Sequence, residues 1–256
     1  MEYKNRIADK LLRDKLEAMG AVLIEGPKAC GKTTTAEQQA KSIIYMDDPV
    51  KQEQYKQMAQ TNIRFLLEGE TPRLIDEWQH VPQFWDAIRF EVDHRDDDGQ
   101  FMLTGSAVPA DMKEIHHTGT GRYGWLTMRP MSLWESGEST GEVSLSDLFL
   151  TPDRIGALNK LTLPMLAFAA CRGGWPKSLQ KKTEKAALSQ VTEYYKAITN
   201  SDISRVDNVK RDEERAKRIM RSYARHQGSQ ASIATILADI STNDTLSLIH
   251  ISEPTR

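Results

Sequence analysis

The chain is 256 residues long, 27% of them charged, with a net charge of −2. That length suffices for one large or two small domains with a real core, and the balanced charge excludes the overall basicity of a dedicated nucleic-acid binder. No apolar run is long enough to span a bilayer, the opening MEYKNRIADKLL lacks a signal-peptide core, and two cysteines, Cys30 and Cys171, make no disulfide framework, so a cytoplasmic protein with no membrane partner is expected.

In chain order, Arg6–Met19 spaces Ile7, Leu11, Leu12, Leu16 and Met19 as an amphipathic helix that stops at Gly20. The apolar run Ala21–Ile24 reads as a strand. It leads through Glu25 into GPKACGKTTT, where Gly26, Gly31, Lys32 and Thr33 fit the phosphate-loop pattern G-x-x-x-x-G-K-[ST] without departure. Each residue type has a physical reason to be there. The glycines let the backbone curl so that successive N–H groups face inward onto phosphate oxygens. Lys32 brings a point charge to the outer phosphates, and the Thr33 hydroxyl can take one Mg²⁺ position. The helix-prone TTTAEQQAKS that follows adds its N-terminal dipole. The expected nucleotide-binding set is Gly26, Pro27, Lys28, Ala29, Cys30, Gly31, Lys32, Thr33 and Thr34, and the expected ligand is a nucleoside triphosphate.

Ile43–Asp48 reads as a second strand, and Lys51–Leu67 as polar, then weakly helical. In PRLIDEWQ, a short strand at Leu74 and Ile75 delivers Asp76 and Glu77 to its C-terminal end, where open α/β sheets bind ligands. Downstream of a phosphate loop, the first acid is expected to hold Mg²⁺ with Thr33 and the second to polarise the attacking water. Val81–His94 places Phe84, Trp85, Ile88 and Val92 on one helical stripe, a packing face. Three adjacent aspartates in RDDDG read as a solvated turn. Phe101–Leu103 is a further strand ending in Thr104, Gly105 and Ser106. A hydroxyl there can sense the γ-phosphate or orient water, or merely make a turn.

The glycine-rich HHTGTGRYGWLT carries the cation Arg122; adjacent His116 and His117 lack a third ligand, so zinc is not expected. Trp125–Met128 reads as the closing strand. Ser144–Phe149, Leu161–Cys171, Glu184–Thr199 and Arg211–Arg225 read as helices, the second apolar enough to be buried. The last of these carries Arg211, Arg215, Lys217, Arg218, Arg221 and Arg225. With Ala231–Ile240 beyond Gly228 it forms either a helix-turn-helix or two packed helices with a charged outer face.

With these motifs in order, the chain resembles bacterial and archaeal AAA-type ATPases, near the signal-transducing STAND branch, that carry a C-terminal domain of unknown function. The resemblance rests on GPKACGKTTTAEQQAKS, RLIDEWQ, FMLTGSAVPA, GTGRYGWLTMRPMSLWESGE, RGGWPK and DISRVD, and runs from about residue 1 to 245. It implies that Asp76 and Glu77 are the Walker B pair, that Thr104 or Ser106 is the sensor, and that Arg122 is an arginine finger or sensor. It also implies a winged-helix-like unit around Arg211–Ile240, and ATP as the nucleotide; the residues alone leave GTP open.

The final Leu246–Arg256, LSLIHISEPTR, reads as the translation of a sequencing adapter and is set aside from fold reasoning, which leaves a truncated C-terminal part. The expected fold is α/β: a P-loop NTPase parallel sheet flanked by helices over residues 1–138, then a mostly helical, winged-helix-like part over 139–245. The expected activity is Mg²⁺-dependent ATP hydrolysis driving a switch, with Glu77, Lys32, Arg122, Ser106 and Thr104 as catalytic residues and a homo-oligomer as its setting. The alternative is a nucleotide-gated DNA-binding regulator with slow hydrolysis, using the basic helix. A small-molecule kinase would need an acceptor pocket and base for which there is no candidate.

Overall fold

A computed structural model describes residues 3–105, 119–202 and 212–241. Ser106, His116, His117, Arg211 and Leu246–Arg256 lie outside the described residues. The chain divides into two compact units, Met1–Val191 and Thr192–Arg256.

The first unit is built on five strands: β1 Ala21–Glu25, β2 Ser42–Tyr45, β3 Arg73–Asp76, β4 Phe101–Thr104 and β5 Tyr123–Thr127. All pairings are parallel, in the order β2-β3-β4-β1-β5. Such a sheet needs both faces covered, and the two-residue alternation of side chains supplies two faces. Ala21 and Leu23 of β1 join Phe101, Leu103, Ile75 and Tyr123 on one side, under helix α5 (Phe84–Arg95) with Phe84, Trp85 and Ile88. Val22 and Ile24 join Leu74, Met102 and Leu126 on the other, under helix α1 (Ile7–Leu16) with Leu12 and Leu16 and under Ala36 of helix α2 (Lys32–Glu37). The Trp85 ring stacks on Tyr123 at 4.0 Å, and the Tyr123 hydroxyl donates to the Trp85 carbonyl at 2.8 Å.

The polar Lys51–Leu67 stretch forms two helices, α3 Gln52–Asn62 and α4 Arg64–Leu67. Beyond β5 come α6 Leu133–Ser136, α7 Leu145–Leu150, α8 Leu163–Arg172 and α9 Pro176–Leu179, and then α10 Glu184–Ala197, which continues past Val191. One expectation is corrected here. Helix α8 is apolar but not buried: Leu163 is 83% exposed, with Met165 and Leu166 exposed beside it, and only Ala169 and Arg172 are covered. Apolar composition favours burial only where a second surface receives it, and among the described residues only the Ala169 and Arg172 side of the helix is covered.

The second unit holds α11, Glu213–Arg225, capped where the Asp212 carboxylate accepts the Glu214 N–H at 2.8 Å, and a further helix over 233–241. Arg225 pairs with Asp239 at 2.6 Å across the turn at Gly228. Among the described residues this unit has no strand to serve as a wing. No helix is long and apolar enough to cross a membrane among the described residues.

Phe84 is fully buried under the sheet. Its truncation to alanine should cost about 3–5 kcal/mol by lost transfer energy and a residual cavity. Urea titration checks this, the expected outcome being a lower midpoint at unchanged m-value.

Candidate functional site

In a parallel sheet every strand delivers its C-terminal end to the same edge, and the register decides which residues meet there. Ile24 of β1 pairs with Thr104 of β4, and Thr104 with Asp76 of β3. The phosphate loop leaves β1 one residue later. Its curl needs glycine at two places. Gly26 has φ +151°, and a Cβ there would sit 2.1 Å from the Met128 carbonyl oxygen; Gly31 has φ +104° and begins α2 in the left-handed region. Ala29 is also left-handed, at φ +63°. The Lys32 ammonium, largely buried, folds back to donate to the Gly26 and Pro27 carbonyls at 2.9 and 3.1 Å.

Asp76 is the centre of the polar cluster. Its Oδ1 accepts from Thr33 Oγ1 at 2.8 Å and, in a short contact, from Thr104 Oγ1. Asp76 is 5% exposed and Thr104 wholly buried. Burial pushes the Asp76 carboxyl above the usual carboxylate range; the Thr104 and Thr33 hydroxyls pull it part of the way back, and the charges of Glu77 and Asp47 push it further up. Glu77 follows in the left-handed region at φ +53°, and its carboxylate accepts a short hydrogen bond from Gln79 Nε2. The same carboxamide lies against Gly105, where an added Cβ would come within 2.4 Å of Gln79 Oε1.

A cavity of about 650 Å³, within the range of ligand sites, opens beside this cluster and is reached by Lys32, Thr33 and Glu77. Ala29, Gly31, Lys32, Thr33, Thr34 and Glu77 line one part of it. Further walls come from Thr35, Glu37 and Gln38 at α2, from Tyr3, Lys4 and Arg6 ahead of α1, and from Met131, Pro176, Lys177, Leu179 and Gln180. Lys4, Lys28, Lys32 and Lys177 all line it, so the cavity suits a polyanion. The Thr33 hydroxyl at the cavity and the buried Asp76 carboxylate 2.8 Å from it are hard oxygen donors of the kind Mg²⁺ takes, so Thr33 and Asp76 fit that ion.

Two expectations are placed differently by the fold. Arg122 precedes β5, and its carbonyl accepts the Ala21 N–H, so it lies at the N-terminal edge of the sheet, the far end of the strands from the phosphate loop. There it pairs with Asp93 at 2.7 Å. The fold therefore does not bring Arg122 to its own chain's phosphate loop. Thr104 reaches the site, but with its hydroxyl on Asp76 inside the protein rather than towards the cavity. Sequence reasoning did not single out Arg6, Gln79, Glu135 or Lys177. Only Glu135 had a local signal, the capping box Ser132-Leu133-Trp134-Glu135.

A phosphate loop between strand and helix, an acid pair on a strand two places away in a parallel sheet, and a polar strand end between them define a P-loop ATPase domain. Residues 19–136 match the family model described as an AAA domain, and residues 164–251 match a domain of unknown function, DUF8612. Residues 19–136 are an AAA-type P-loop ATPase domain. Among curated proteins no sequence matches it. Solved structures with likeness to it include the Walker-type ATPase PABY2304 of Pyrococcus abyssi, at 12% identity over 93% of this chain and 88% of that one, with a TM-score of 0.47. PCH-2 of C. elegans is 16% identical over 73% of this chain and 66% of that one, TM-score 0.38. AMPPCP-bound DnaA from Aquifex aeolicus is 13% identical over 96% and 90%, TM-score 0.37. These likenesses are distant, and the family rests on the matched domain and the sheet order.

Because the folded Asp76 holds its proton to higher pH than the unfolded chain does, folding takes up a proton in that window, and stability falls as pH rises through it. Above the window the buried charge remains a cost to the fold. Asp76→Asn keeps an acceptor for both hydroxyls and removes the charge. It should raise the thermal midpoint of the ligand-free protein at neutral pH and flatten its decline from acid pH, as read from melts across the carboxylate range.

Proposed function

We propose that this chain binds Mg-ATP at Gly26–Thr34 and hydrolyses it to ADP and phosphate, and that it works as a nucleotide-driven switch. The observation that carries this reading is the hydrogen bond from the Thr33 hydroxyl to the buried Asp76 carboxylate, with Thr33 and Glu77 both lining the cavity. The loop N–H groups would take the phosphate oxygens, and Lys32 would exchange its two carbonyl partners for them. Mg²⁺, held by Thr33 and Asp76, supplies neutralisation of the phosphate charge when bound. Glu77 takes the proton as water attacks the γ-phosphorus in line and the bond to the bridging oxygen breaks. Gln79, donating to Glu77, holds that carboxylate in place until nucleotide enters. Thr104 acts on Asp76 as a positioning group.

The DNA-binding alternative is the weaker one. Of the α11 cations, Lys217 is already paired with Glu213 and Glu214, and Arg225 with Asp239, which lowers the net positive face available to phosphates.

Saturating Mg-ATP at a hundredfold excess over Kd should stabilise the wild type by about 2.7 kcal/mol and Lys32→Ala by little. Glu77→Gln should keep the thermal shift and lose phosphate release. Equal shifts in wild type and Lys32→Ala would remove the site assignment, and full turnover by Glu77→Gln would remove the base. Parallel assays with GTP decide the nucleotide.

Placed at the far edge of its own sheet, Arg122 can serve only a neighbouring subunit's nucleotide, where such fingers contribute about 10³–10⁵ in rate. Turnover per chain should then rise with protein concentration, and Arg122→Ala should abolish the rise at unchanged ATP affinity. Turnover independent of concentration would exclude the finger.

A further inference from the structure

Arg6 lies outside the matched AAA domain, yet its guanidinium, with the side chain 5% exposed, engages the phosphate loop directly. Nη1 donates to the Cys30 carbonyl at 2.9 Å, Nη2 to the Arg129 carbonyl at 2.7 Å, and Nε to Glu135 Oε1 at 2.9 Å. The Glu135 carboxylate is itself fixed: Oε1 also accepts the Ile7 N–H at 2.8 Å, and Oε2 accepts the Ser132 N–H at 2.7 Å. Its burial is outweighed by the Ser132 and Ile7 N–H groups and by Arg6, which hold it below the usual carboxylate range. With each Arg6 nitrogen donating to a protein acceptor, this cation acts as a strut between the loop, the exit of β5 and the start of α6.

The consequence for the loop follows from peptide geometry. In a planar trans peptide the C=O and the following N–H point in opposite senses. Pinning the Cys30 carbonyl to Arg6 therefore fixes the direction of the Gly31 N–H, which has no protein acceptor among the described residues. Gly31 sits against the strut, since a Cβ on it would lie 3.2 Å from Arg6 Nη1. The geometry points to Arg6 as a positioning residue of the phosphate site, which holds the crest of the loop in its anion-receiving conformation before any ligand arrives. This inference rests on the ATP-binding reading above. It adds that the preorganisation comes from a side chain ahead of the domain.

Two readouts separate this role from one in stability alone. The first is affinity for inorganic tripolyphosphate and for Mg-ATP, measured well below the melting range. The second is the reactivity of the Cys30 thiol, which is fully buried in the loop, with exposed Cys171 as the internal control. Arg6→Gln should weaken both ligands about tenfold, the equivalent of one charge-assisted hydrogen bond. It should also speed Cys30 modification by a similar factor, and saturating tripolyphosphate should slow it again; Arg6→Lys should recover part of both. A lower melting temperature with affinity and Cys30 reactivity unchanged overturns the proposal. If Arg6→Gln does not fold, Glu135→Gln, which leaves both carbonyl contacts of Arg6, should shift both readouts in the same direction by less; no shift in either overturns the proposal. A wild type that binds neither ligand defeats the ATP-binding reading instead, while the Cys30 rates still test the strut.

Discussion

The site depends on one register: β1, β4 and β3 lie side by side in parallel, with Ile24, Thr104 and Asp76 level with one another. Parallel pairing brings every strand's C-terminal end to the same edge, and this alignment sets the depth of each group at that edge. A shift of one residue in β3 would turn Asp76 to the opposite face of the sheet and bury an apolar side chain in its place. The alignment is held by the apolar alternation on both faces, so the packing of Leu74 and Ile75 under opposite helices is also what aims the carboxylate.

That carboxylate sits where the fold would rather have none. Burial disfavours its charge, and two hydroxyls offset this only in part. A cation held by Thr33 and Asp76 would offset that cost, so ligand binding and local electrostatic relief would act in the same direction. Strain of this kind collects where function needs it; the left-handed Glu77 one residue on is a second instance.

The parts of the fold that were legible were those with local causes. Gly26, Gly31, Lys32 and Thr33 are fixed by a pattern whose spacing is itself the geometry, and the strands announced themselves as short apolar runs. The place of Arg122 was not legible, because a linear reading shows a cation next to a strand but not at which end of the sheet it falls; it precedes β5, at the edge away from the phosphate loop. Arg6 was illegible for the opposite reason. Its partners Cys30, Arg129 and Glu135 lie 24, 123 and 129 residues away, so no window of sequence contains the interaction. The exposure of α8 was illegible because composition records what a helix could bury, not whether anything stands opposite it.

The cavity walls have a bearing on modularity. Tyr3, Lys4 and Arg6 lie before the matched domain, and Pro176, Lys177, Leu179 and Gln180 after it, yet they close the same space as the phosphate loop. A fragment cut to residues 19–136 would hold every motif residue and none of these walls. The segment that identifies the family is thus shorter than the segment that makes a working pocket, and grafting the former onto another scaffold would transfer the signature without the site.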